Sequence, residues 1–315
     1  MMLLSKSAGT FRAYRTSWIR WIAWAWLRTW EGEPTPILPA LPVQVALFLV
    51  HRAERDPASL NAAQHPSTAI NSVHRLLGLP APSGHLASAV LKALRRTRGR
   101  PVKRAKPLTV RLIKKIVAKW GAAGQPVYMV MVVAMILLGF AGFFRLGELL
   151  ALNRSDVVFT ADCVRIFVEI SKTDQVRLGT WVVIARTGSK LCPVDFLEWF
   201  MDMTPAEGEE PLFRTIWRRS VYSKGHPSLG DKRMPSSTFH TYLRAALVAV
   251  GLTEKEALEF SGHSLRRGGS TAAAQKRVPG HWRMHQGRWK SMESADLYVG
   301  AVTQDAMQLT LSLGL

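Results

Sequence analysis

Residues 261–274 read SGHSLRRGGSTAAA, and this stretch decides how the rest of the chain is read. Ser261 and Gly262 make a turn, and the small residues that follow predict a helix starting there or at Ser264. His263 and Arg266 are three residues apart, so near a helix start both project from one face. Backbone N–H groups at that end favour an anion. Gly268 and Gly269 imply close packing against a neighbour. A lone His-x-x-Arg pair is common and carries little weight.

Further residues of matching chemistry lie on either side. Downstream are Trp289 in GRWKS (287–291) and Tyr298 in ADLYVG (295–300). Upstream, Arg145 follows an apolar stretch in FFRLGELLAL (143–152), and Lys172 sits in SKTDQ (171–175). The set suits a phosphodiester, with cations for the phosphate oxygens, a hydroxyl to attack and donors to assist the leaving group. Arginine fits the phosphate because its planar fork gives bidentate hydrogen bonds. A phenol needs cationic neighbours to act as a nucleophile, and the arginines supply them. Glu148, one turn after Arg145, reads equally as a buttress of the site and as a helix-surface carboxylate. His281 and His285 have ligand-like spacing, but no HExxH glutamate or third ligand accompanies them, so they read as a solvated pair.

The composition agrees with a polyanionic partner. Among 315 residues, 42 Lys and Arg stand against 22 Asp and Glu, for a net charge of +20. Such an excess suits DNA, RNA or an anionic membrane surface. An apolar fraction of 48% implies packed domains, and the length allows two. Cys163 and Cys192 are too few for a disulfide framework or a zinc site. The start, MMLLSKSAGTFRAYR, has too short an apolar core for a signal peptide. Residues 127–144 carry no charge and match a membrane span in length. Gly139, Gly142 and the amphipathic turn after Arg145 favour a buried core helix instead.

The first ninety-eight residues read as four helices with short loops. Phe11, Tyr14, Trp18, Trp21, Ile22 and Ala25 form the apolar stripe of the first. The second runs from about Pro42 to Arg55. The third is expected after Pro66, capped by Ser67, and the fourth after the turn 80–84, ending at Arg95 and Arg96. Residues 95–107, RRTRGRPVKRAKP, hold Arg95, Arg96, Arg98, Arg100, Lys103, Arg104 and Lys106 with no acid, and read as an interdomain linker. Their core, RGRP, resembles an AT-hook, a minor-groove segment; a solvated linker touching phosphates or a nuclear-import signal fits as well. Pro107 and Thr109 open a helix. Val164–Ile170 and Val176–Ile184 read as a hairpin with Lys172 at its tip, Lys190 being the competitor if the register is misjudged. Residues 204–236 read as surface loop, and helices make up most of the rest.

In combination, Arg145, Lys172, His263-x-x-Arg266, Trp289 and Tyr298 resemble the catalytic signature of tyrosine recombinases, the phage integrase family. The order matches, as do the gaps of 23 from Arg266 to Trp289 and nine to Tyr298. SGHSLRRGGSTAA and GRWKS are most similar to recombinases of Crypton-like and DIRS-like mobile elements, and PSTAINSVHRLLGLPAP (66–82) resembles their core-binding domain.

The resemblance implies a mostly α fold with a small β-sheet. A helical, SAM-like core-binding domain (1–98) that binds DNA, a basic linker (99–107) and an α+β catalytic domain (108–315) are expected. Arg145 and Arg266 would hold the scissile phosphate. Lys172 would protonate the leaving 5′-hydroxyl, and His263 would orient the phosphate or accept the tyrosyl proton. Trp289 fills a slot often held by histidine, and its indole can only donate. Tyr298 would form a 3′-phosphotyrosine, with Glu148 in support and the linker cations on the DNA backbone. No cofactor, metal or ATP is expected. The partners are double-stranded DNA and a homotetramer, with the tail 301–315 docking on a neighbouring protomer or on its own domain. The location is nuclear in a eukaryote, otherwise cytoplasmic or nucleoid, and not secreted. A type IB topoisomerase or telomere resolvase shares the first cleavage step, and a catalytically silent DNA-binding descendant is a further reading.

Overall fold

The computed structural model describes residues 8–57, 61–99, 104–169, 179–205, 209–217 and 228–299. The chain divides into two compact units, Met1–Lys103 and Arg104–Leu315.

The first unit contains α1 (Ala8–Trp30), α2 (Pro42–Arg55), α3 (Asn61–Leu76) and α4 (His85–Arg98). Its core is aromatic. Trp21 stacks on Trp24 at 5.6 Å and meets the edge of Phe48 at 5.3 Å, while its indole N–H donates to the Ile37 carbonyl. The helix expected after Pro66 starts earlier, and Pro66 lies inside α3. A proline there removes a helical hydrogen bond at a cost of about 3 kcal/mol. The helix persists because Ala63, Ser67, Ile70 and His74 form one buried stripe across the proline. Ser67 is therefore no cap; its hydroxyl bonds that of Ser83 at 3.0 Å. α4 also runs on past Arg96 to Arg98.

The second unit is built around α6 (Val127–Ala141), preceded by α5 (Val110–Trp120). Thr109 caps α5 by accepting from the Leu112 N–H. Val130–Leu138 of α6 are buried on every face, which explains the uncharged run. Among the described residues no helix is long and apolar enough to cross a membrane. After a turn at Gly142 and Phe143, α7 (Leu146–Ala151) begins with Arg145 as its N-cap. Strands β1 (Val157–Phe159), β2 (Cys163–Val168) and β3 (Thr180–Ala185) form an antiparallel sheet in that order. Val164, Ile166, Val168, Val182 and Ile184 face the core, and Arg165 lies over the Trp181 ring on the other side. The register pairs Val168 with Thr180, so β2 and β3 pair antiparallel as expected of the hairpin, and the expected strand residues 176–178 lie outside the described residues. Lys172, expected at the hairpin tip, lies outside the described residues.

The chain continues through α8 (Pro193–Asp202), β4 (Arg214–Trp217), β5 (Ser228–Arg233), α9 (Ser236–Ala249), α10 (Glu254–Ala257), α11 (Gly262–Gln275), α12 (Gly280–Gly287) and α13 (Met292–Asp296). The expected surface loop over 204–236 thus contains a strand pair. Its polar residues hide the signal, because SLGDKR has little intrinsic strand preference. Tertiary contacts hold it instead. Arg233 donates to the Leu152 carbonyl at 3.1 Å and to Asn153 Oδ1 at 2.6 Å, and the flanking Leu212, Phe213 and Met234 are buried.

Close packing around α11 uses its two glycines. A Cβ on Gly268 would lie 2.1 Å from the Leu108 carbonyl oxygen, and one on Gly269 2.1 Å from that of Phe140. Both obstacles are backbone and cannot rotate away. Gly268→Ala should cost about 1–3 kcal/mol by overpacking. At roughly 2–4 °C per kcal/mol for a unit of this size, a clear drop in melting temperature is expected in calorimetry.

Candidate active site

The site assembles where the α6–α7 turn, the start of α11 and the α12–α13 connection meet. Phe143 has φ 48, a left-handed conformation that costs a non-glycine residue about 1–3 kcal/mol. This turn aims Arg145 out of the end of α6. The Glu148 carboxylate then accepts from the Arg145 backbone N–H at 2.9 Å and from its Nη1 at 2.6 Å. Glu148 is only 4% exposed, so it is a buried partner of Arg145 and not a surface carboxylate. Burial pushes its carboxyl up, but Arg288, the Arg145 backbone bond and the Arg145 charge outweigh that and hold it below the usual carboxylate range.

Ser261 caps α11, accepting from the His263 N–H at 3.3 Å. Arg266, one turn in, is 1% exposed. Its Nη1 donates to the Phe143 carbonyl at 2.5 Å and its Nη2 to the Gly287 carbonyl. The guanidinium lies over the rings of Trp289, at 4.2 Å, and Tyr298, at 5.1 Å. The Trp289 and Tyr298 rings are 5.1 Å apart, and the His263 ring lies nearly parallel to Tyr298 at 6.4 Å. The Thr271 hydroxyl and Arg104 Nη1 reach the backbone carbonyls of Tyr298 and Leu297, fixing the tyrosine-bearing turn.

Arginines 145, 266 and 288 thus surround one carboxylate. Burial, then the Arg145 and Arg288 charges, push Arg266 down to about 9. The buried Nε of Arg266, Nε of Arg288 and Nε1 of Trp289 donate to no protein acceptor. Donors and positive charge exceed what the protein satisfies, the preorganisation that a phosphate oxyanion exploits.

No family model matches the chain. A curated relative, the integrase/recombinase XerD homolog of Selenomonas ruminantium, is 30% identical over 307 residues, spanning 94% of this chain and 82% of the relative. The chain belongs to the tyrosine recombinase family. Solved recombinase structures share the fold. The XerH site-specific recombinase bound to a palindromic difH substrate matches with TM-score 0.60 at 14% identity, covering 95% of this chain and 78% of that one. A lambda integrase dimer bound to a COC′ core site matches with TM-score 0.59 at 18% identity, covering 94% and 90%. The integrase of transposon Tn1549 matches with TM-score 0.53 at 13% identity, covering 89% and 87%.

In this recombinase, Arg145, Glu148, His263, Arg266, Trp289 and Tyr298 come together. Lys172 falls outside the described residues, as do Arg100 and Lys103 of the linker and the RGRP segment past Gly99. Arg95, Arg96 and Arg98 belong to α4, where Arg98 donates to the Ala53 carbonyl at 2.8 Å. Lys106 pairs with Glu259 at 2.5 Å. His281 and His285 are exposed on α12, and among the described residues no group of three or more His, Cys, Asp or Glu could hold a metal.

Two site residues escaped the sequence reading. Arg288, in GRWKS, carries no signal in the sequence beyond its charge. His240, in an unremarkable STFHTYLR, accepts the Gly262 N–H on its Nε2 at 3.1 Å and so holds the start of α11. Burial, then Arg244 and His263, lower its proton affinity. The folded chain therefore binds this proton less readily than the unfolded one. Its contribution to stability is complete above about pH 6.5 and is lost as pH falls through the lowered folded value. His240→Gln, whose amide oxygen can accept the same N–H, should flatten the decline of melting temperature between about pH 7 and 5.

Proposed function

We propose that this recombinase cuts and rejoins DNA through a covalent bond between Tyr298 and a 3′-phosphate. The observation that carries the reading is Arg266, buried under the Trp289 and Tyr298 rings with Arg145 close enough to repel it. Arg145 and Arg266 hold the non-bridging oxygens. Tyr298 Oη forms the new P–O bond as the bond from phosphorus to the 5′-oxygen breaks. The phenolic proton passes to His263, and Lys172 protonates the leaving 5′-oxygen. Trp289 donates its N–H to the phosphate and cannot take a proton. The phosphotyrosine conserves the phosphodiester, so rejoining needs no ATP, and the arginines supply the positive charge.

The Met1–Lys103 unit acts as the DNA-binding half, with the cations of 95–106 on the backbone. Strand exchange joins two duplexes and uses four protomers. The apolar tail 301–315, outside the described residues, docks on a neighbour; unchanged cooperative assembly after truncation at Gly300 would exclude this. SGHSLRRGGSTAA and GRWKS support kinship with Crypton-like and DIRS-like recombinases.

The test uses duplexes nicked at a fixed position within randomised sequence, incubated with the full chain in EDTA. SDS-stable adducts are expected, and their DNA reports the preferred site; no adduct from any sequence overturns the reading. Affinity for the selected duplex should drop steeply with salt, by about 10³-fold or more between 50 and 200 mM if six or more phosphates are contacted.

A further inference from the structure

The three consecutive residues Gly287, Arg288 and Trp289 each contact a different part of the site. The Gly287 carbonyl accepts from Arg266. Trp289 lies over the Arg266 guanidinium, and its ring packs so closely that a Cβ on Gly287 would strike it. Between them, Arg288 adopts a left-handed backbone, φ 54, which turns its side chain inward. The side chain is 7% exposed, and its guanidinium lies over the Phe144 ring. Nη1 donates to the carbonyls of Gly142, at 3.1 Å, and Gln286, at 2.8 Å. Nη2 donates to the Phe143 carbonyl at 3.3 Å and to Glu148 Oε2 at 2.7 Å. Each terminal nitrogen of Arg288 thus makes two bonds to protein acceptors, which uses all four of its terminal N–H groups and leaves only Nε. Arg266, by contrast, bonds once from each terminal nitrogen and keeps an N–H on each for the phosphate.

We infer that Arg288 is a positioning residue of the active site, cancelling the buried charge of Glu148 and clamping the Gly142–Phe143 turn that carries Arg145. The inference rests on the reading of Arg145 and Arg266 as the phosphate clamps. Glu148 is needed to orient Arg145, to which it gives a bond at each oxygen. Alone, however, a buried carboxylate would neutralise the guanidinium that it orients. Arg288 takes up that negative charge, so Arg145 is aimed without losing its attraction for phosphate. A buried carboxylate stripped of one of two cationic partners is strongly disfavoured. The charged groups facing Glu148 are Arg145 on its own helix, Arg266 of α11 and Arg288. Asp156, Glu169 and Arg233 line, together with Glu148, a cavity of about 490 Å³.

The experiment measures single-turnover cleavage of the selected nicked duplex by Arg288→Met, Arg288→Lys, Glu148→Gln and the double variant. Affinity for the duplex and melting curves are measured in parallel. Arg288→Met is expected to cleave about 10–100-fold more slowly with affinity nearly unchanged, the scale for a catalytic group displaced by about 1 Å. Arg288→Lys should recover part of the loss. Without Arg288, burial pushes the Glu148 carboxyl up, so Arg288→Met should gain relative to wild type as pH falls from about 8 to 5.5 and Glu148 protonates. Adding Glu148→Gln should restore part of the rate and remove that pH response. Because the double variant keeps the net charge of the site, it reports even if Arg288→Met melts below the assay temperature. Wild-type cleavage by Arg288→Met overturns the inference, as does a defect that neither pH nor Glu148→Gln alters. If wild type forms no adduct, the recombination mechanism itself fails instead.

Discussion

Tyr298→Phe is expected to bind the selected nicked duplex like wild type and to form no covalent adduct with it. The change removes one oxygen and keeps the ring. The ring contacts with Arg266, Trp289 and His263 therefore persist. Folding stability should change by about 1 kcal/mol or less, the net worth of a hydroxyl's hydrogen bond. Cleavage should fall by at least about 10³-fold, because loss of a nucleophile removes the reaction's first bond and leaves only binding and charge stabilisation. An SDS-resistant adduct with the phenylalanine variant would falsify the assignment of Tyr298. A variant that neither binds nor folds would contradict the packing described, in which the ring rather than the hydroxyl makes the contacts.

Arg266→Met should separate stability from catalysis even more sharply. A 1%-exposed arginine would ordinarily be expected to matter greatly for folding. Two opposing effects apply. Its bonds to the Phe143 and Gly287 carbonyls are each worth about 1.5–3 kcal/mol, as hydrogen bonds from a charged donor. Against them stand desolvation and repulsion from Arg145 and Arg288, which push the group down to about 9. At about 1.4 kcal/mol per pKa unit that opposing cost is also several kcal/mol. The effects nearly cancel, and methionine fills much of the same volume. The melting free energy of the DNA-free protein should shift by no more than about 2 kcal/mol in either direction. Cleavage should fall by about 10²–10³-fold or more, the scale for removing one donor aimed at a developing oxyanion. A variant that retains near-native cleavage would show that Arg266 holds the backbone and not the phosphate. A loss of stability far beyond that range would show that its bonds outweigh the repulsion.

The distribution of what was legible has physical causes. The helices were legible in the pattern of apolar residues, as in the all-apolar run of α6, while the fold class as a whole came from the resemblance to a family. The start of α3 and the β4–β5 pair did not, since burial across Pro66 and the Arg233 anchor act against local preference. Five of the six signature residues, with Glu148, meet in the described site, because their order and spacing follow the elements that the fold brings together.

From the sequence alone came the set of groups: two arginines, a histidine, an indole and a phenol in an order shared by a family, on a strongly basic chain. Those are properties of residue type and spacing, and they need no coordinates. Only the tertiary structure decided that Glu148 is buried, that His240 holds the start of α11, and that Arg288 turns inward to share Glu148 with Arg145. Each depends on a contact between groups distant in the chain. For Arg288, it also depends on a left-handed backbone that nothing in GRWKS announces. Burial sets what a charge does, and burial is a property of the folded neighbourhood rather than of the residue.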